Sequence, residues 1–308
     1  MPKQKITFDD LLDADSETLT HFLASLSHMY NLALDETSLD QLHPARQIEV
    51  DWISYLTSRL YDQIRPSSVA WFNVYDLVPF FMDPPPDEAP PIRPMKEYED
   101  GEADAPKLLL VPITAPTGGH YSTVVVAMED GTFVSAHAMD SYIDSGGYMN
   151  DSVVDTLLDA LGVAGTFGDV DPSPDVARIS GFVVQSAKSQ NCGFFVTLVR
   201  QLAFEVAAQE GKHASASTLV DSLLDNLWLI DRKRGRSLRS ALQHDLARMF
   251  SSYLSQRKRR RAHNPDQKAQ DAKGGGVEGG GVGGEGSVDP FAEFRFSPPP
   301  PRFDLLLS

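Results

Sequence analysis

Cys192 is the only cysteine in a chain of 308 residues. Asn191 precedes it, Gly193 follows it, and then come Phe195, Val196, Leu198, Val199, Leu202 and Val206. Gaps of three and four put these apolar residues on one face of a helix, with Asn191 as a candidate N-cap. The thiol then falls in the first turn, where the positive end of the helix dipole favours a thiolate. A thiolate can attack a carbonyl if three further roles are filled. A base must pair with it, an acid must orient that base, and donors must meet the oxyanion that develops. His120, Asp140 and Gln185 are the candidates. Gln185 stands seven residues before the cysteine and can offer its amide NH2, beside the backbone N–H of Cys192. A free cysteine is otherwise a small buried hydrophobe, so the chemistry depends on what the fold brings to it.

The register of one hairpin bears on this. The stretch from His120 to Met128 and the stretch from Thr132 to Met139 read as paired strands around Glu129-Asp130-Gly131. A three-residue loop sets Met128 opposite Thr132 and, eight residues on, His120 opposite Asp140. Opposed side chains share a face at roughly 5 Å. A two-residue Asp130-Gly131 turn would instead put the two side chains on opposite faces. His137 is a competing base within the second strand, Asp144 a rival acid, and Gln190 a rival donor with little room to fold back.

The rest of the chain supplies the supporting elements. Residues 8–35 and 46–65 carry apolar residues at helical spacing, with Asp15 or Ser16 as a cap inside the first stretch and Pro66 ending the second. The aromatic run 71–82 is expected in the core. Residues 83–106 are rich in Pro, Asp and Glu and read as a surface insertion. Residues 107–113 form a short apolar strand with Pro112 near its end, and residues 179–184 a last strand leading to Gln185. Helices are expected over residues 151–161, 192–209, 217–230 and 237–254. Beyond about Gln256 the chain turns basic, then Gly-rich, then Pro-rich, and is expected to be disordered. The domain organisation is thus an N-terminal helical segment (1–44), a catalytic domain (45–254) and a tail (255–308).

Composition narrows the function classes. A single cysteine leaves no disulfide framework and no cysteine-rich zinc site, and neither cofactor nor metal is implied. No apolar run approaches the roughly 18 residues of a membrane span, and no secretory leader is read at the N-terminus. The formal charge of −16 argues against general nucleic-acid binding. The basic clusters Arg232-Lys233-Arg234-Gly235-Arg236 and Arg257-Lys258-Arg259-Arg260-Arg261 resemble a split nuclear-localisation signal, so a nuclear or cytoplasmic location is expected, and a monomer. The end Asp304-Leu305-Leu306-Leu307 is an acidic-apolar segment able to pair with the sheet edge of a partner.

Gly119-His120, then Asp140-Ser141, then Gln185 and Asn191-Cys192-Gly193 resemble, in that order, the Ulp1-like cysteine proteases. These are the SUMO-deconjugating enzymes and relatives such as the adenovirus proteinase. The resemblance covers roughly residues 45–210, with Trp52-Ile53-Ser54-Tyr55-Leu56 similar to an early helix and Leu110-Val111-Pro112-Ile113 to the strand before the histidine. It implies an α+β, papain-like fold in circularly permuted order, with a central, mostly antiparallel sheet flanked by helices. It also implies hydrolysis of a peptide or isopeptide bond after the C-terminal Gly-Gly of a ubiquitin-like modifier. His120, Asp140 and Cys192 would be the triad and Gln185 the oxyanion donor. The chain departs from the pattern in having Tyr121 where Trp is usual, Asn191 where Asp is usual, and Gln185 at the spacing of the viral relatives. Two alternatives are an inactive protease-like binding module and a thiol acyltransferase using the same triad.

Overall fold

The computed structural model describes residues 6–43, 46–66, 68–72, 106–114, 120–130, 132–141, 176–180, 191–263 and 306–307. In chain order the described elements are α1 (Phe8–Leu12), α2 (Ser16–Tyr30), α3 (Glu36–Asp40), α4 (Val50–Ile64), β1 (Val69–Trp71), β2 (Leu108–Thr114), β3 (Tyr121–Glu129), β4 (Thr132–Asp140), β5 (Val176–Ser180), α5 (Cys192–Glu210), α6 (Ala216–Asp225), a 3₁₀ turn (Leu227–Leu229) and α7 (Arg232–His263). They form two compact units, residues 1–39 with 240–299 and residues 40–239 with 300–308.

The first unit is helical. Thr7 and Asp10 close a capping box at α1, and the Asp15 carboxylate caps α2 by accepting from the Thr18 N–H at 2.8 Å. Phe22 of α2 meets the rings of Phe250 at 5.1 Å and Tyr253 at 5.7 Å. The sequence places the end of this last helix near Leu254, but it continues to His263. The added turns carry Arg257, which donates to Glu17 at 2.9 Å and to Thr18 at 2.7 Å.

The second unit is α+β. A five-stranded sheet runs in the order β1-β2-β3-β4-β5. The inner pairs β2/β3 and β3/β4 are antiparallel, and the outer pairs β1/β2 and β4/β5 are parallel. Every residue of β3 from Tyr121 to Met128 is buried, as a central strand covered on both faces requires. Pro112 lies within β2, past the three residues that pair with β1. Its missing N–H therefore falls where, among the described residues, β2 has only β3 as a neighbour. α4 packs against α5, and α5 against β3. Of the apolar residues expected inward over 46–65, Ile48, Trp52, Ile53, Leu56 and Leu60 are buried, and Ile64, in the last turn of α4, is half-buried. The α4 helix ends at Arg65, in the left-handed region at φ 52°, just ahead of Pro66.

The sequence suggests one apolar face for α5, but the helix is buried all round from Cys192 to Ala207. Its polar residues are therefore matched inside. Arg200 donates to the Thr57 hydroxyl at 2.9 Å and the Phe72 carbonyl at 3.1 Å, and lies over the Trp71 ring. The Glu205 carboxylate accepts from the Gln201 amide at 2.7 Å, from the Leu306 N–H at 2.7 Å and from the Leu307 N–H at 2.8 Å. The end segment that the sequence offers to a partner's sheet thus uses two of its own donors on α5, and Leu306 is buried.

The β3–β4 hairpin differs from its sequence reading. Glu129 pairs with Thr132, so the loop is the two residues Asp130-Gly131, and Asp130 takes the positive φ of 49° that such a tight turn asks of its first position. That turn alone would send Asp140 to the wrong face. A bulge corrects it. Ala127 pairs with Ser135 and Met128 with Phe133, which leaves Val134 as one extra residue in β4. Beyond the bulge Thr123 pairs with Met139, so Asp140 comes level with Ser122. His120 is then its diagonal neighbour, on the same face but not directly opposite.

Candidate active site

Three elements converge on one point. His120 stands just ahead of β3, Asp140 closes β4, and Cys192 opens α5. The His120 Nε2–H donates to Asp140 Oδ1 at 2.8 Å. The Asp140 side chain is fully buried and that of His120 is 12 % exposed. Diagonal neighbours stand roughly 7–8 Å apart, their Cβ atoms somewhat less, so the bond relies on the reach of the imidazole. The Cys192 side chain lies close enough to His120 to act on its pKa and is 1 % exposed.

The electrostatics follow from these contacts. Burial of the ring pulls the His120 pKa down, because a charged imidazole loses solvation. The hydrogen bond to Asp140, the neighbouring Cys192 side chain and the charges of both outweigh it, and the pKa rises from 6.5 to about 9. His120 is thus an imidazolium at neutral pH, held between a carboxylate and a sulfur. An imidazolium beside a thiol favours the thiolate form, the better nucleophile, and can itself act as an acid.

The competitors are disposed elsewhere. His137 lies next to Ala138 on β4, and its side chain points to the face away from Asp140. Its Nε2 is 3.0 Å from the Ser135 hydroxyl, and burial holds its pKa below the usual value. Gln185, Gln190 and Asp144 lie outside the described residues, as do the helix expected over 151–161 and the insertion 83–105.

The start of α5 is built tightly. Asn191 occupies the N-cap position, and its carbonyl accepts the Phe195 N–H at 3.1 Å. Its side chain does not cap the helix. Oδ1 instead accepts from Arg239 at 3.3 Å, a residue to which the sequence reading gave no part. The Cys192 N–H, at the first helical position, has no acceptor within the helix and can serve an oxyanion. A Cβ on Gly193 would stand 2.7 Å from Ile48 Cγ1 and 3.0 Å from Ile53 Cδ1. Gly193 is therefore required for close approach of α5 to α4 and to the segment before it. Among the described residues no group of side chains is arranged to hold a metal, and no helix is long and apolar enough to cross a membrane.

No protein-family model and no curated protein matches the sequence. Solved structures do match. Ulp1-type SUMO proteases are among them. A de-sumoylating protease superposes with a TM-score of 0.48 at 15 % identity, over 74 % of this chain and 91 % of that one. The C-terminal Ulp1 protease domain, solved in complex with the yeast SUMO orthologue Smt3, gives a TM-score of 0.41 at 14 % identity, over 70 % and 82 %. The effector XopD of Xanthomonas campestris, solved bound to ubiquitin, gives 0.40 at 15 % identity, over 58 % and 90 %. What this chain can do is decided by its own side chains.

Proposed function

We propose that the protein is a cysteine-type peptidase that cleaves a peptide or isopeptide bond at the C-terminus of a ubiquitin-like modifier. The observation that carries the chemistry is His120, bonded to Asp140 at 2.8 Å and close enough to Cys192 for the thiol to act on its pKa. The thiolate attacks the scissile carbonyl, and the oxyanion forms against the Cys192 N–H, with the Gln185 amide as the second donor that the sequence resemblance implies. His120 passes its Nδ1 proton to the leaving amine, which departs and leaves a thioester on Cys192. Neutral His120 then takes a proton from water, the hydroxide attacks the thioester, and the thiolate and imidazolium are restored. Asp140 holds the ring orientation and the charge throughout. The choice of a ubiquitin-like substrate rests on the sequence resemblance at His120, Asp140, Gln185 and Cys192.

Modifier proteins carrying a C-terminal vinyl sulfone or aldehyde test the proposal. One member of a SUMO and ubiquitin panel is expected to label the wild type and to miss Cys192→Ser. A wild type that no member labels would sink the assignment. Nuclear import through the basic cluster is a second, separate proposal, supported by the exposure of Lys258 and Arg259 at the end of α7. Unchanged nuclear accumulation after removal of residues 256–308 would exclude it.

A further inference from the structure

We propose that Arg239 is a positioning residue for Cys192, holding the start of α5 so that the thiol is aimed at His120 and the helix-end donors stay open. The inference rests on the triad reading above, and its observations are separate from the triad. Arg239 lies on α7 and is 5 % exposed. Its guanidinium makes four hydrogen bonds. One terminal nitrogen donates to the carbonyls of Gln41 at 3.0 Å and His43 at 2.7 Å. The other donates to the Arg46 carbonyl at 2.8 Å and to Asn191 Oδ1 at 3.3 Å. The flat cation also lies over the Phe194 ring, 4.6 Å from its centroid. One side chain thus ties the backbone carbonyls of Gln41, His43 and Arg46 to Asn191 and Phe194, which flank Cys192 and Gly193.

Two consequences follow for the thiol. Residues 41–46 lead directly to Ile48, the side chain against which Gly193 is pressed. Fixing those carbonyls fixes the wall that sets how far α5 can advance. The second consequence concerns the cap. An unrestrained Asn at this position turns its Oδ1 onto the N–H of the second or third helical residue. Here Oδ1 is drawn away to Arg239, and the first-turn donors keep their field for the thiolate and their hydrogens for an oxyanion. Lysine cannot substitute, because an ammonium offers three donors on a flexible stem and has no flat face for Phe194.

The test compares Arg239→Lys, Arg239→Gln and Asn191→Ala in the full chain, measuring iodoacetamide alkylation of Cys192 between pH 5 and 10 alongside the thermal midpoint. Both Arg239 variants are expected to alkylate roughly 10- to 100-fold more slowly at pH 7, with the rate rising steeply only at higher pH. Asn191→Ala keeps the three carbonyl bonds, and with them the fold, and has no amide to close over the first-turn donors, so its pH profile should stay nearer the wild type than that of either Arg239 variant. Recovery of the wild-type profile by Arg239→Lys would show that only the charge matters and would overturn the proposal. So would a lower midpoint with an unchanged profile in all three variants. The reagent needs no modifier, so the outcomes separate. A wild type that alkylates readily yet is missed by every modifier probe defeats the proposed substrate alone.

Discussion

Asp140→Asn removes one charge and leaves the side-chain shape in place, which makes it the sharpest probe of the site. The rise of the His120 pKa from 6.5 to about 9, at about 1.4 kcal/mol per pH unit, corresponds to about 3 kcal/mol of preference for the imidazolium in the folded state. Asp140 and Cys192 share that preference, while burial of the ring opposes it. The sign is set by proton binding. Folded His120 keeps its proton up to about pH 9, whereas the unfolded chain loses it near pH 6.5. The stabilisation is therefore complete below pH 6.5 and fades as the pH rises through 9. In Asp140→Asn the Cys192 share remains, but burial weighs more and the pKa should drop well below 9. The assay is urea unfolding of both proteins at steps from pH 6 to pH 10, with the His120 Cε1–H followed by NMR. The stability gap should be widest near pH 6, on the order of 2–3 kcal/mol, and should narrow steadily towards pH 10. A variant whose His120 still titrates near 9, or a gap that does not change with pH, would refute the electrostatic account of the site.

Other perturbations reach different parts of the structure. Gly193→Ala forces a methyl to 2.7 Å from Ile48. Overpacking of this kind costs about 1–3 kcal/mol, against at most about 1 kcal/mol returned by helix propensity. A net loss of stability and slower Cys192 alkylation are expected, read by chemical unfolding and by mass spectrometry. Glu205→Ala strips the acceptor from the Leu306 and Leu307 N–H groups, and hydrogen exchange should show their protection lost while the amides of α5 keep theirs. If turnover of a modifier substrate is found, its alkaline limb should fall near pH 9, where His120 loses the proton that the leaving amine needs. A limb unchanged in Asp140→Asn would contradict that origin.

The parts of the site that depend on local pattern were legible in the sequence. Asn191-Cys192-Gly193 ahead of a helical run placed the thiol at a helix start, and two apolar strands on either side of a turn brought His120 and Asp140 to one face. The pairing itself was read through the wrong register. Asp130-Gly131 is a strong signal for a two-residue turn, and following it alone would have lost Asp140 as the partner of His120. No residue type announces the bulge at Val134, which arises from how the hairpin packs as a whole. Arg239 was hidden for another reason. It sits among many charged residues of α7, and its partners are mostly backbone carbonyls, which leave no trace in residue identity. The same holds for Glu205, whose partners Leu306 and Leu307 offer only their backbone N–H groups.

Val134 also bears on how this hairpin can change. Strand pairing carries a two-state phase, inward or outward, and each single-residue insertion or deletion flips it for everything downstream. The hairpin holds one such flip at its turn and a second at Val134, and the two cancel. Removing either one alone would leave both strands paired yet put the Asp140 carboxylate on the face away from His120. Loop length between the two residues is thus free to vary only in matched steps, much as a reading frame survives paired shifts and fails on single ones. A designer who tightens or lengthens this turn to improve stability must add or delete a compensating residue before Asp140, or the imidazole loses its partner while the fold survives.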